Sequence, residues 1–268
     1  MRKFCLTIFL MTWIFSCQSE IKEITNMKDL FNYLSEAHSK TLVIFDVDMV
    51  LVQPSDPAFQ MANMKRFSSI AKRIMKEVPS EKQITFLSLM TLSSCPILID
   101  DHMPQYLEQI IEKKIPMMAM TANLTGEFNT IRCMEKWRVA SLQRLGIHFS
   151  RSAPYQSSLV FDHLPSYRGY YSTYLEGILF VNGTQVSKGE ALLSFFEKAN
   201  FYPHQVVFID DREDNLKSVE VSLQKFHPSI KYVGLHFLGA QGYPSKQISE
   251  EEFESKWQKL ADEAKQLH

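Results

Sequence analysis

Apolar side chains fall along this chain in two rhythms. Residues 41–45 (TLVIF) form an unbroken β-branched and aromatic run that stops at Asp46. Three later runs repeat the look: residues 115–120 (IPMMAM) stopping at Thr121, residues 206–209 (VVFI) stopping at Asp210, and residues 232–237. A run apolar at every position predicts a strand buried on both faces, as in a parallel sheet. Between these runs, residues 103–114, 129–145, 188–199 and 214–226 read as helices. Alternating buried strands and helices predict a doubly wound, mainly parallel α/β sheet. Ahead of the first strand, residues 24–39 read as an amphipathic helix with Met27, Leu30, Phe31, Leu34 and Ala37 on its stripe.

Two stretches interrupt the alternation. Residues 54–96 open on a proline-rich turn (Gln53-Pro54-Ser55-Asp56-Pro57) and continue with helical periodicity through Met61, Met64, Phe67, Ile70, Ile74 and Met75. A second apolar stretch follows at residues 84–92. Placed directly after the first strand, this segment predicts a small helical cap over the strand ends. Its methionines (Met61, Met64, Met75, Met90) read as adaptable core more readily than as a recognition surface. Residues 155–185 read as a β-hairpin insertion ending in a tight turn at Asn182-Gly183. Its tyrosines, Tyr155, Tyr167, Tyr170, Tyr171 and Tyr174, read as strand packing, with a substrate edge as the other reading. The core is thus expected over residues 20–53 and 97–268. Its tail, residues 249–267, forms a charged helix with one apolar stripe (Phe253, Trp257, Leu260, Ala264), started by a capping box at Ser249 and expected to dock on the sheet.

Residues 1–19 differ from the rest. Arg2 and Lys3 precede an uncharged apolar run at residues 4–15, followed by Ser16-Cys17-Gln18-Ser19. Twelve apolar residues are too few to span a bilayer core, which needs about 20. Positive start, apolar stretch and small residues together read as a secretory signal. Export to the periplasm, the outer surface or the medium is therefore expected. Ile14-Phe15-Ser16-Cys17 also resembles a lipoprotein-processing box, so a lipid anchor at Cys17 would be the one membrane attachment. Of the remaining cysteines, Cys95 and Cys133 fit no metal spacing and read as buried thiols rather than a disulfide.

With 29 basic and 30 acidic side chains among 268 residues, the chain has no electrostatic footprint for nucleic acid. A chain of this length buries roughly three quarters of its unfolded surface and needs no disulfide staples. The histidines show no metal-ligand spacing and read as structural.

The chemistry gathers at strand ends, where open α/β sheets bind ligands. Asp46 and Asp48 follow the first run (LVIFDVDMV), Thr121 ends the second (MAMTAN), Lys188 opens a helix (VSKGEALL), and Asp210-Asp211 ends a later strand (FIDDREDN). This ordered set resembles the haloacid dehalogenase (HAD) superfamily, whose four motifs take these residue types in this order. The resemblance spans residues 41–215, with an exported HAD-like group as the nearer relative and class C acid phosphatases as a looser analogue. Val50 stands where the first motif more often has Thr.

From the resemblance follows a Mg²⁺-dependent phosphohydrolase acting on a phosphate monoester. Asp46 would be the nucleophile and Asp48 the general acid and base. Thr121 and Lys188 would hold the phosphoryl group, and Asn123, two residues past Thr121, would reach substrate. Asp46, Asp48 through its backbone carbonyl, Asp211 and Asp210 would hold the metal. Mg²⁺ suits such a site because it takes a few carboxylates and keeps room for water and substrate oxygens. Asp210 and Asp211 together also set the chain apart from dehalogenases. Asn215 would orient the acidic loop, and Asp214 reads as a first-turn acid. The partner would be a small phosphorylated molecule or a phosphoprotein. A non-catalytic exported binding protein and a phosphotransferase or mutase stay open as other readings. Substrate identity and oligomeric state stay open as well.

Overall fold

The computed structural model describes residues 20–243 and 246–267; the expected signal segment, Cys17 included, lies outside them. Eight strands form one sheet. They are β1 (Glu20–Ile24), β2 (Thr41–Phe45), β5 (Met117–Thr121), β6 (Leu159–Val160), β7 (Thr173–Leu175), β8 (Ile178–Phe180), β9 (Gln205–Asp210) and β10 (Lys231–Phe237). Their order is β1-β10-β9-β2-β5-β8-β7-β6, parallel from β1 to β8 and antiparallel at β7 and β6. The fold is mixed α/β around a large, mostly parallel sheet.

Both faces of that sheet are covered, which is why β2, β5 and β9 are apolar at nearly every position. Val43, Phe45, Met117, Ala119, Val207 and Ile209 point to one face, toward α4 (Met103–Glu112) and α5 (Met134–Gln143). Leu42, Ile44, Met118, Met120, Val206 and Phe208 point to the other, toward α6 (Lys188–Ala199) and α7 (Glu213–Phe226). From β2 the chain runs to β5 and β8 on one side, then returns through β9 and β10 on the other. The carboxyl end of β2 is thus a topological switch point, where the flanking connections leave in opposite directions and open a crevice.

A two-stranded ribbon, β3 (Val52–Pro54) against β4 (Pro96–Leu98), leads out from β2 and back. Between its strands lie α1 (Met61–Arg66), α2 (Ser68–Glu77) and α3 (Gln83–Leu92). No helix among the described residues is long and apolar enough to cross a membrane.

Several expectations need correction. Residues 24–39 are not one helix: β1 ends at Ile24 and a 3₁₀ helix covers Met27–Tyr33, capped by Asn26. Its stripe still buries Met27, Leu30 and Leu34, which fits one tight helical segment as well as a longer one. Helix α5 starts at Met134 because residues 128–131 close a tight turn, with Phe128 and Ile131 exchanging both backbone hydrogen bonds at 2.9 Å. The turn between β7 and β8 lies at Glu176-Gly177, both with positive φ, and Asn182 and Gly183, also with positive φ, follow β8.

The terminal helix α8 (Glu250–Gln266) does not dock on the sheet. Its stripe packs on α1–α3 in a third core with Phe59, Phe67, Ile74 and Phe86. Trp257 donates from Nε1 to the Ala58 carbonyl at 2.8 Å, and Lys256 Nζ pairs with Asp56 at 2.9 Å. Helix α8 thus shares one core with the helical insertion. Cys95 is exposed and Cys133 half-buried; both are free thiols rather than buried ones.

Candidate active site

Asp46 leaves the end of β2, its N–H donating to Ile209 O on β9 at 2.8 Å. The next residues turn sharply: Leu51 and Val52 donate back to the Val47 carbonyl, and Met49 takes a left-handed φ of 63°. A non-glycine residue in that region is uncommon and marks a backbone held by its surroundings. This curl turns Asp46 and Asp48 toward one cavity rather than to opposite faces.

Lys188 is the first residue of α6, whose capping box joins Ser187 and Glu190. Its ammonium, 3% exposed, lies 2.9 Å from Asp46 Oδ1 and 2.6 Å from Asp210 Oδ2. Gly189 permits this placement, since a Cβ there would come within 2.3 Å of Ser218 O on α7. Asp46 Oδ1 also accepts the Val47 N–H, while Oδ2 accepts no hydrogen bond among the described residues. One oxygen is held and the other is open.

Asp210 is fully buried and saturated. Arg212 N–H and Asn215 Nδ2 reach its Oδ1, while Lys188 and Asn215 reach its Oδ2. Asn215 therefore does orient the acidic loop. Asp46, Asp210 and Asp211 each offer an oxygen within 4.8 Å of the others, so these three could hold a metal ion. Because Asp210 is committed to Lys188, Asn215 and Arg212, Asp46 and Asp211 are the freer ligands. The Asp48 carboxylate stands outside this trio.

Buried together, the three carboxylates and one ammonium shift one another. Burial pushes the Asp46 carboxyl well above its usual range; Lys188 opposes this, and Asp210 and Asp211 reinforce it. Asp211 is pushed up to about 7, first by burial and then by the charge of Asp210. Burial alone would pull Lys188 down, but Asp210 and Asp46 raise it overall. One ammonium thus faces three carboxylates, keeps its proton, and leaves the cluster short of cationic charge. An all-oxygen donor set with surplus negative charge fits a hard divalent cation such as Mg²⁺.

Thr121 ends β5, buried, with its Oγ1 accepting the Asn123 N–H at 3.2 Å. Thr121 also lines the cavity. Asn123 lines the cavity too, but its side chain bridges two others: Nδ2 donates to Asp48 Oδ2 at 2.8 Å, and Oδ1 accepts from Arg138 Nε at 2.6 Å.

Arg138 is the residue that sequence reasoning missed. It lies on α5, 1% exposed, with Nη2 at 2.9 Å from Asp48 Oδ1. A signal was available. Arg138 falls on the buried stripe of its helix with Met134 and Leu142, where a cation needs a partner.

Residues 23–266 match the family described as a protein of unknown function, DUF2608. The chain belongs to the DUF2608 family. Among relatives of this DUF2608 chain, an uncharacterized protein of Rickettsia bellii is 26% identical over 243 residues, covering 87% of this chain and 81% of its own length. Another from Rickettsia conorii is 24% identical over 230 residues, covering 82% and 77% respectively. A third, from Rickettsia prowazekii, is 30% identical over 169 residues, or 63% of this chain and 54% of its own. No solved structure matches this DUF2608 chain.

Proposed function

We propose that the chain is a HAD-like phosphohydrolase that cleaves a phosphate monoester through Asp46 with Mg²⁺. The observation that carries this reading is Lys188, buried between Asp46 and Asp210 at the carboxyl ends of adjacent strands. Beside them, Thr121 and Asp48 line the same cavity.

Mg²⁺ held by Asp46 and Asp211, with Asp210 behind them, would neutralise charge on the phosphoryl oxygens. The rest falls to the chain itself. The open Oδ2 of Asp46 attacks phosphorus as the bond to the alcohol oxygen breaks, and that oxygen takes a proton from Asp48. Asp48 then takes a proton from water, whose oxygen displaces Asp46 from phosphorus and releases phosphate. Such acid–base assistance is typically worth about 10²–10⁴-fold. Thr121 donates to a phosphoryl oxygen, and Lys188 stabilises the Asp46 carboxylate that re-forms when water displaces it from phosphorus. Helices α1–α3 with α8 form the cap that excludes water.

The test is Mg²⁺-dependent phosphate release from p-nitrophenyl phosphate, measured beside Asp46→Asn. Turnover by the native protein that the variant loses is the expected result. Equal turnover by both proteins would sink the nucleophile. Export belongs to the same proposal, with residues 1–19 as the signal; the N-terminus of the mature protein in fractionated cells checks it.

A further inference from the structure

The cavity above Asp46 measures about 530 Å³, within the range of sites that enclose a whole small ligand rather than a lone anion. Its two ends differ in chemistry. The floor is polar: Asp46, Asp48 and Thr121 are assigned to the phosphoryl group, and Thr184, Ser187, Arg212, Asp214 and Ser218 continue it along the core side. The roof is built from methionines: Met49 beside the floor, Met61 and Met64 on α1, Met75 on α2 and Met90 on α3, with Trp257 of α8 beside them. The polar side chains that the cap adds are Ser88 and Thr91.

That roof discriminates by what it lacks among the described residues. The cap brings no lysine or arginine to it, so a second phosphate or a carboxylate under the roof would meet no cation of the cap, and Arg212 lines the cavity from the core side only. Lys188 cannot serve, being committed to Asp46 and Asp210. A sugar or nucleoside under the roof would press several hydroxyls or ring nitrogens against thioethers, with Ser88 and Thr91 as the polar side chains the cap offers to replace lost water. An apolar group meets no such cost. Methionine, unbranched and polarisable, adapts to alkyl and aromatic shapes alike.

We infer that the substrate is a phosphate monoester of an apolar alcohol or phenol, with its hydrocarbon part seated under the methionine roof. This rests on the phosphohydrolase reading for its reaction, but not for its binding. The apolar part contributes through burial, so affinity grows with the carbon count until the cavity is filled.

The experiment has two arms, both with the full chain. One measures Mg²⁺-dependent kcat/KM for methyl, butyl, hexyl and phenyl phosphate beside glucose 6-phosphate, AMP and phosphoserine. The other measures binding of methyl-, butyl- and hexylphosphonate, which cannot be hydrolysed, by calorimetry in the presence of Mg²⁺. Each methylene buried is expected to raise kcat/KM and phosphonate affinity by about fourfold. The three polar substrates should fall below hexyl phosphate by at least 10-fold. Met64→Gln combined with Met75→Gln should flatten the dependence on chain length in both arms. Hydrolysis with no such dependence, or with preference for a polar substrate, would overturn the inference and leave the phosphohydrolase intact. Phosphonate binding that grows with chain length, but no hydrolysis of any ester, would uphold the inference and sink the reaction. Absence of both phosphonate binding and hydrolysis of any ester would overturn the inference outright.

Discussion

Arg138 on α5 and Asp48 beyond β2 are joined through one nitrogen: Nη2 of the buried arginine lies 2.9 Å from Oδ1 and 3.3 Å from Oδ2 of the carboxylate. The same guanidinium holds Asn123, which in turn holds Asp48. The proposed acid–base group is thus clamped from a helix that carries none of the four motifs. Arg138 is a positioning residue in this scheme. Arg138→Met should lower kcat more than it changes KM, with Arg138→Lys recovering part of the loss. It should cost about 1–3 kcal/mol of stability, the low end for a buried pair because Asp48 can regain water. Steady-state kinetics and denaturant melts on the three proteins check this; a pure KM effect would contradict it.

Lys188 neutralises two carboxylates that have little access to water. Lys188→Met should destabilise the Mg²⁺-free protein by about 3–5 kcal/mol near neutral pH. Adding Asp210→Asn should recover part of that loss, because the two side chains contribute as a pair. Urea melts of the two single variants and the double variant decide it. Simple additivity would mean the pair is not coupled.

Asp211 makes the site depend on pH. Its folded carboxyl lies at about 7, above the ordinary value near 4. The folded state therefore holds this proton more tightly, and the associated stability is complete below pH 4 and lost as pH rises through 7. Mg²⁺ needs the ionised form, so its binding should strengthen over that window and release a proton. The Mg²⁺-induced rise in melting temperature should be larger at pH 8 than at pH 5.5. Asp211→Asn should remove most of that difference.

Gly189 lies where α6 meets α7. A Cβ there would fall 2.3 Å from both Ser218 O and Ser222 Oγ. Gly189→Ala should cost about 1–3 kcal/mol, despite the better helix propensity of alanine, because α6 must move off α7. Activity should fall further than stability requires, since Lys188 moves with the helix. Melting curves and kcat on the same preparations separate the two effects.

Trp257 ties the C-terminal helix to the cap. It stacks on Phe253 at 5.4 Å between ring centres, packs against Phe86 at 5.3 Å and borders the cavity. Trp257→Ala should destabilise the protein by about 3–5 kcal/mol. If α8 belongs to the cap, the ratio of activity on large to small esters should shift as well. An unchanged ratio in the folded variant would assign Trp257 to packing alone.

Much of this was legible in the chain because local patterns have local causes. A strand covered on both faces must be apolar throughout, so β2 and helix α6 were read at their observed bounds, and β5 and β9 within two residues. The polar residues ending those strands were readable for the same reason: they interrupt runs that are otherwise uniform. Strand β1 escaped because EIKEI lies at the sheet edge, paired with β10 alone, where charged side chains reach solvent. What an apolar stripe cannot encode is the surface it meets. Phe253 and Trp257 announced that one face of α8 is buried, yet the face is satisfied equally by a sheet or by helices. Only the fold placed α8 on the cap, turned the methionines of residues 61–90 toward a cavity, and brought Arg138 to Asp48 across 90 residues of chain. Periodicity reports burial within one element; partnership between elements depends on the path of the whole chain.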